Sequence, residues 1–426
     1  KDGKLVREIT KKDGLLTWSV HLANRKSAWK QFDGLNPNAP LRNASIADRN
    51  RLIIDPGPRS LTGASQSAQF NTGAFQGVTV PLGEIRTDAQ CRLTVLGGFG
   101  HSASPSNAPL TTYANNNGWH DDTSDGPVTA VVTLKGTTTP IQAAGAWVMC
   151  GPPKFAPQLL NVITLYDTLL QVAVDKLGVK VSAQPSFTND IYPILARALG
   201  MTWVSGMVSS AHAHRMLAAV IPPPGSPSAR KIIFDRLRDP ALPHDQESDA
   251  DMPMLWSDFY TEGQNEPLTR LQYANMKKWM EGNFINDWSG PPKPATKITP
   301  AGLDRAALEC CVGGAFYPGI ETSWMTRDVF NYIEPFRLDH ATLQAGDVTK
   351  QMAVPWQADF YDCTQDDDYA WWPAQRPDDV FPDGEATQVP WIRDLINSFA
   401  DMVRNWNRLG FIVKKGRRYV ETERIE

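Results

Sequence analysis

Cysteine is scarce in this chain: Cys91, Cys150, Cys310, Cys311 and Cys363 are scattered through 426 residues. That is too few for a disulfide framework at this length, and none forms the Cys-x-x-Cys pair that redox and zinc sites use. Long apolar runs are also missing. A spanning helix needs roughly 18 to 20 such residues, and even the stretch from Gln158 to Leu177 is interrupted by Asn161, Asp167 and Gln171. No sign of charge dominates, with 42 basic residues against 46 acidic ones, so neither a nucleic acid nor an anionic membrane is expected as partner. Internal repeats and low-complexity tracts are absent. The first residues, Lys1-Asp2-Gly3-Lys4, hold no apolar signal region, and the compartment, cytoplasmic or exported, stays undetermined. What is present is a globular composition, 42% hydrophobic, enough for one large core or a few smaller ones.

Several chemistries lack their local signature. The nearest approach to a dinucleotide fingerprint, Leu96-Gly97-Gly98-Phe99-Gly100, is followed by His101-Ser102-Ala103-Ser104-Pro105 and not by a helical run. No phosphate-cradling Gly-x-x-x-x-Gly-Lys-Ser/Thr loop and no Gly-x-Ser-x-Gly elbow occurs. His212 and His214 share one side only of a strand, with no third ligand nearby. Trp119-His120-Asp121-Asp122 could hold a structural cation, although loop aspartates more often bond to nearby backbone. No catalytic metal is expected.

Residues 1–154 alternate short β-rich runs with turns: Leu15 to Leu22, Arg51 to Asp55, Gly77 to Leu82, Cys91 to Leu96 and Val128 to Leu134. This spacing predicts mainly antiparallel sheet. From residue 155 the period becomes helical. Helices are predicted from about Leu159 to Leu177, over Asp190 to Leu199, over Leu268 to Phe284 with Thr269 at the start and Gly282 at the end, and from Trp391 to about Leu409 with Gly410 as a left-handed cap. The fold class is therefore α+β, with a β-rich region 1–154 and a helical, long-loop region 155–426 carrying the site, packed as one compact unit. The Trp-, Pro- and Asp-rich loops Asp235 to Asp258 and Met352 to Asp383 are long enough to wrap a site, and their indoles argue against disorder.

Two segments supply the parts of a cofactor made from protein: Cys310-Cys311-Val312-Gly313-Gly314 and Trp371-Trp372-Pro373-Ala374-Gln375-Arg376-Pro377. A thiol and an indole that meet can be oxidised together into cysteine tryptophylquinone, an electrophilic dicarbonyl that captures amines. The competing reading is two small buried thiols and ordinary tryptophan packing. His340, between the two segments, is a candidate base, since imidazole is the side chain suited to proton transfer near neutral pH; Asp359, flanked by Trp356 and Phe360, is the alternative, since burial raises a carboxyl pKa. Arg337 or Arg376 could hold a substrate carboxylate, and either could equally serve a structural ion pair.

With Trp18-Ser19-Val20-His21-Leu22-Ala23-Asn24-Arg25-Lys26, Leu52-Ile53-Ile54-Asp55-Pro56-Gly57, Leu82-Gly83-Glu84-Ile85-Arg86-Thr87-Asp88, the Gly118 to Pro127 run and Pro355-Trp356-Gln357-Ala358-Asp359-Phe360, these segments resemble the cysteine tryptophylquinone-dependent amino-acid oxidases, quinoproteins of the L-lysine 6-oxidase and glycine oxidase type. The resemblance runs in one order from about Leu5 to Glu423. It implies oxidative deamination of a free amino acid through a Schiff base, with dioxygen consumed and ammonia and hydrogen peroxide released. It implies a thioether from Cys311, with Cys310 as the other register, to the Trp371-Trp372 pair, with Trp372 preferred. A separate flavoprotein is implied for cofactor maturation. A homo-oligomer is the default expectation. One position departs from the family: relatives carry an aspartate one helical turn before the crosslinked cysteine, and here Ala307 stands there, with Asp304 and Glu309 the nearest acids. That departure keeps open a non-catalytic or differently modified family member acting as a binding or structural protein.

Overall fold

The computed structural model describes residues 7–33, 36, 38–211, 224–242, 252–255, 266–293, 298–314, 322–363 and 372–425. The chain is α+β, as its sequence predicts. It divides into two compact units, Lys1–Pro152 with Tyr317–Asp362, and Pro153–Phe316 with Cys363–Glu426. Nothing in the sequence signals the return of 317–362 to the first unit.

The first unit is built on an antiparallel sheet of β1 (Gly14–Val20), β2 (Arg59–Thr62), β3 (Ser124–Leu134), β4 (Pro140–Gln142) and β5 (Ala146–Cys150). β1 pairs along β3 from Gly14↔Leu134 to Val20↔Val128 and, on its other edge, with β2. The long β3 gives its first half to β5 and its second half to β4. Val20 and Leu22 enter a core with Leu52, Ile54, Phe70, Phe75, Leu82 and Ile85. The expected strand at Arg51 to Asp55 does not form. Asp48 caps a 3-10 turn over Arg49–Leu52 by accepting from Asn50 N, and only Ile54 bridges, to Asn24. The aspartate side chain offers the backbone a partner that competes with a ladder.

Buried carboxylates hold the returning segment. Asp125 accepts from Thr349 N (2.8 Å), Thr349 Oγ1 (2.6 Å), Val348 N (3.2 Å) and Trp147 Nε1 (2.9 Å). Burial pushes its pKa up to about 6, against the pull of those donors. Asp121 accepts from Lys26 Nζ at 2.8 Å, both side chains fully buried, and from Trp356 N at 3.1 Å. The structural cation anticipated at Asp121 or Asp122 is thus the protein's own ammonium, and Asp122 is taken by Phe99 N and His101 N.

The second unit holds α1 (Leu165–Lys176), α2 (Tyr192–Gly200), α3 (Arg270–Glu281) and α4 (Pro300–Glu309). α1 starts later than predicted because Thr164 and Asp167 form a reciprocal capping box. A π-helical turn, Phe187–Ile191, precedes α2. α3 follows expectation, with Thr269 and Gln272 boxing its start and Gly282 left-handed at its end. The predicted helix from Trp391 to Leu409 is broken into 3-10 turns at Arg393–Leu395 and Trp406–Arg408 around a short helix, Phe399–Asn405. Ser398, accepting from Asp401 N, restarts the chain there. Gly410 is not left-handed; it leads into the hairpin of Phe411–Lys415 with Arg418–Thr422, where a Cβ would stand 2.7 Å from Glu421 Oε1. No helix among the described residues is long and apolar enough to cross a membrane.

Candidate active site

The second unit brings the cysteine segment and a tryptophan together. α4 ends at Glu309, Cys310 caps it and is exposed, and the chain then runs antiparallel to the entry of α1. Leu165 N donates to Cys311 O (3.0 Å), Gly313 N donates to Ile163 O (3.1 Å), and the Thr168 hydroxyl donates to Gly313 O. Val312 pairs with Thr164 and is buried. Residues 311–314 form a strap whose register is fixed by the same Thr164 that caps α1.

The end of the strap lies on Trp372. A Cβ built on Gly314 would overlap Cζ2 and Cη2 of that indole and stand 3.0 Å from Cε2. A Cβ on Gly313 would overlap the carbonyl of Thr164. Both positions require glycine because the backbone itself is the contacting surface. Trp372 is fully buried, and its Nε1 has no hydrogen-bond partner among the described residues. Its carbonyl accepts from Gln375 N (2.9 Å) and Arg376 N (3.1 Å), closing a tight turn. That turn is laced to residues 153–156: Phe155 N donates to Gln375 O, Ala156 N to Ala374 O, and Gln375 Nε2 to Pro153 O.

Charge around the strap is sparse and partnered. Burial pushes the Cys311 thiol up to about 11, with the neighbouring Cys310 adding to the rise and Lys154 opposing it. Cys311 Sγ donates to Ala307 O at 3.5 Å. Glu309 is held by Arg305 Nε (2.8 Å) and Arg197 Nη2 (3.3 Å), and Arg197 also donates to Asp167 (2.7 Å). Lys154 Nζ donates to Cys310 O at 3.2 Å, and burial lowers its pKa. Beyond the tryptophan turn, burial pushes Asp378 up to about 7, although Arg376 lies 3.6 Å away.

Arg376 is buried, donates to Pro377 O at 2.7 Å and stacks on Trp391 at 5.3 Å, so its guanidinium is used inside its own turn. His340, Asp359 and Arg337 belong to the first unit. His340 Nε2 lies 3.1 Å from Ala146 O, its ring packs edge-on to Trp147, and a Cβ on Gly145 would meet it at 2.8 Å. Asp359 is buried on the short helix Trp356–Asp362, and Arg337 is half-buried on the strand Arg337–Leu338. Trp371, His212 and His214 lie outside the described residues. Among the described residues no group of three His, Cys, Asp or Glu side chains could hold a metal ion. Lys154, Thr168 and Asp378 were not singled out by sequence. Only the Thr164-x-x-Asp167 signature and the consecutive glycines hinted at the strap's seat.

Fold and strap together define an α+β protein in which a cysteine-bearing segment is held against a buried indole. The chain matches the family models described as L-lysine epsilon oxidase N-terminal, over residues 1–150, and L-lysine epsilon oxidase C-terminal domain, over residues 260–382. It is 29% identical over 445 aligned positions to L-lysine 6-oxidase of Marinomonas mediterranea, covering 82% of this chain and 60% of the relative. The chain thus spans less than two thirds of that relative's length. Its fold is similar to the crystal structure of the Schiff base intermediate of L-Lys epsilon-oxidase from M. mediterranea with L-Lys, at TM-score 0.79 and 25% identity over 98% of this chain and 85% of that one. A further structure of the epsilon-lysine oxidase from the same organism matches at TM-score 0.79 and 26% identity, over 99% and 84% of the two chains. The chain belongs to the L-lysine ε-oxidase family.

Proposed function

We propose that this chain is an amino-acid oxidase that deaminates a free amino acid at a primary amine through a cysteine tryptophylquinone formed from Cys311 and Trp372. Ammonia and hydrogen peroxide are the released products, and dioxygen is the electron acceptor. The observation that supports the reading is the seating of the cysteine-bearing strap on the indole. Gly314 packs against Cζ2 and Cη2, the carbons that bear the oxygens of a tryptophan ortho-quinone, and a Cβ there would overlap both. The residues present fit the group. When formed, it supplies an electrophilic dicarbonyl that takes up an amine and two electrons.

The chain's own residues have separable parts. The strap bonds to Ile163, Leu165 and Thr168 fix Cys311, and the buried Trp372 turn excludes water from the ring. For the base that removes the proton from the nitrogen-bearing carbon, His340 is preferred and Asp359 is the alternative. A His340 Nε2–H donated to Ala146 O leaves the lone pair on Nδ1 in the neutral ring, so Nδ1 is the accepting atom. Arg337 or Arg376 holds the substrate carboxylate, and Arg376 also serves Pro377, Asp378 and Trp391. A separate flavoprotein is the expected maturation partner, and the assembly is expected to be a homo-oligomer.

One observation favours a second reading. Cys311 Sγ faces the backbone oxygen of Ala307, where relatives carry a carboxylate, and Glu309 is engaged with two arginines. A scaffold that never oxidises its tryptophan would keep the same strap. Intact mass of the denatured protein, with mapping of peptides containing Cys310, Cys311, Trp371 and Trp372, separates the two. A Cys311–Trp372 link with added oxygens and visible absorbance is the expected result, followed by peroxide release in an amino-acid screen. An unmodified mass in protein coexpressed with the maturation flavoprotein supports the scaffold reading.

A further inference from the structure

The second unit contains an apolar cavity beside the Trp372 turn. Its volume is about 90 Å³, and every lining side chain among the described residues is Val, Ile, Leu, Ala, Pro or Met. Five of the chain's 11 methionines, Met201, Met207, Met252, Met254 and Met276, form part of the wall. One step along the chain separates that wall from each side of the strap–indole contact. Val162, on the wall, precedes Ile163, whose carbonyl accepts from Gly313 N of the strap. Pro373, also on the wall, directly follows Trp372. We propose that this cavity is the binding site from which dioxygen reaches the reduced cofactor, an assignment that rests on the function proposed above.

The lining selects its occupant. Lack of space does not keep water out, since about 10–15 Å³ is enough for one molecule. A water there would miss the roughly two to four polar partners it needs, because no lining side chain offers more than a weakly accepting thioether. A free amino acid fits worse, for its ammonium and carboxylate would both enter without a counter-charge. The side chain of a substrate already held on the cofactor is not placed there either, because neither Trp372 nor residues 311–314 line the cavity. Dioxygen is the one reactant of the proposed oxidase that is small, uncharged and without a need for hydrogen bonds. Thioether sulfurs are polarizable and add dispersion attraction, and unbranched methionine side chains yield to a passing molecule. Reoxidation moves two electrons and two protons from the reduced site to one dioxygen and releases one hydrogen peroxide. A cavity that concentrates dioxygen acts on that half of the reaction alone.

The test joins a binding measurement to a kinetic one, both on the full chain after maturation. Crystals under xenon pressure are expected to show xenon in the wild-type cavity and none in Ala198→Phe, which fills the space from α2. Val208→Phe, on the short helix Gly206–Ala211, fills it from a second element and covers the case in which one substitution disturbs folding. In both variants kcat/KM for dioxygen should fall about tenfold, while anaerobic reduction by the amino acid keeps its wild-type rate. An empty wild-type cavity under xenon overturns the assignment, as does a filled variant whose kcat/KM for dioxygen is unchanged. Filling that raises KM for the amino acid and leaves the dioxygen rate alone gives the cavity to the substrate side chain and overturns it equally. A wild-type chain whose mass stays unmodified overturns the proposed function, and this role with it; normal anaerobic reduction with an unaltered dioxygen rate in the filled variants overturns only the role of the cavity.

Discussion

Replacing Gly314 by alanine puts one methyl group against the most consequential ring in the protein. Built on the native backbone, that Cβ overlaps Cζ2 and Cη2 of Trp372 and stands 3.0 Å from Cε2, whereas carbon atoms rest about 3.5 to 4.0 Å apart. Relief requires a displacement of more than about 1 Å. If the strap lifts, it loses the bonds from Gly313 N to Ile163 O, from Leu165 N to Cys311 O and from the Thr168 hydroxyl to Gly313 O, each worth about 1 kcal/mol net. If the indole yields, it moves into a packed interior at about 1–3 kcal/mol. Both routes predict a loss of about 2–3 kcal/mol in urea unfolding. Misplacement by about 1 Å is also expected to slow thioether formation about a hundredfold, read as the crosslinked fraction of the mapped peptide. Gly151→Ala, where a Cβ meets nothing within 4 Å, is the control and should change stability by less than about 0.5 kcal/mol. A Gly314→Ala protein as stable as that control, with its thioether formed at the normal rate, would refute the close approach on which the site is built.

Two further perturbations test the frame. Lys26→Met leaves the Asp121 carboxylate buried without its cation, and a loss of about 3–5 kcal/mol is expected; a change under about 1 kcal/mol in denaturant titration contradicts the pairing. Burial raises the folded pKa of Asp378 to about 7 from the ordinary 3.8 of an aspartate, so the folded state holds an extra proton between those limits. Its contribution to stability is greatest below about pH 4, falls as pH rises through the window, and is constant above about pH 7. The difference in urea midpoint between pH 5 and pH 8 should therefore shrink in Asp378→Asn, and an unchanged difference tells against the raised pKa.

Much of the molecule is legible in its residues, and the parts that are not share a cause. Alternation and turn residues reveal the N-terminal sheet, and α3 is readable to its caps because Thr269, Gln272 and Gly282 act over three or four residues of chain. The order of elements carrying the family resemblance, with Cys311 and Trp372 as its chemical parts, is likewise present in one dimension. Local competition defeats the reading at Asp48 and at Ser398, where a side chain captures backbone donors and ends a periodic run.

What the sequence determined by itself was the supply of chemistry: a thiol, an indole, paired glycines, and a pattern that folds as antiparallel strands followed by helices. What tertiary structure decided was proximity and charge state. Only the folded second unit seats the strap on the α1 entry and turns Gly314 toward Cζ2 and Cη2, contacts made across long stretches of chain that no local period encodes. The return of 317–362 to the first unit was settled in the same way, by Asp125 accepting from Val348 and Thr349. The raised pKa of Asp378 has no sequence signature, because it comes from burial, and burial is a property of packing that a residue's neighbours in sequence do not specify.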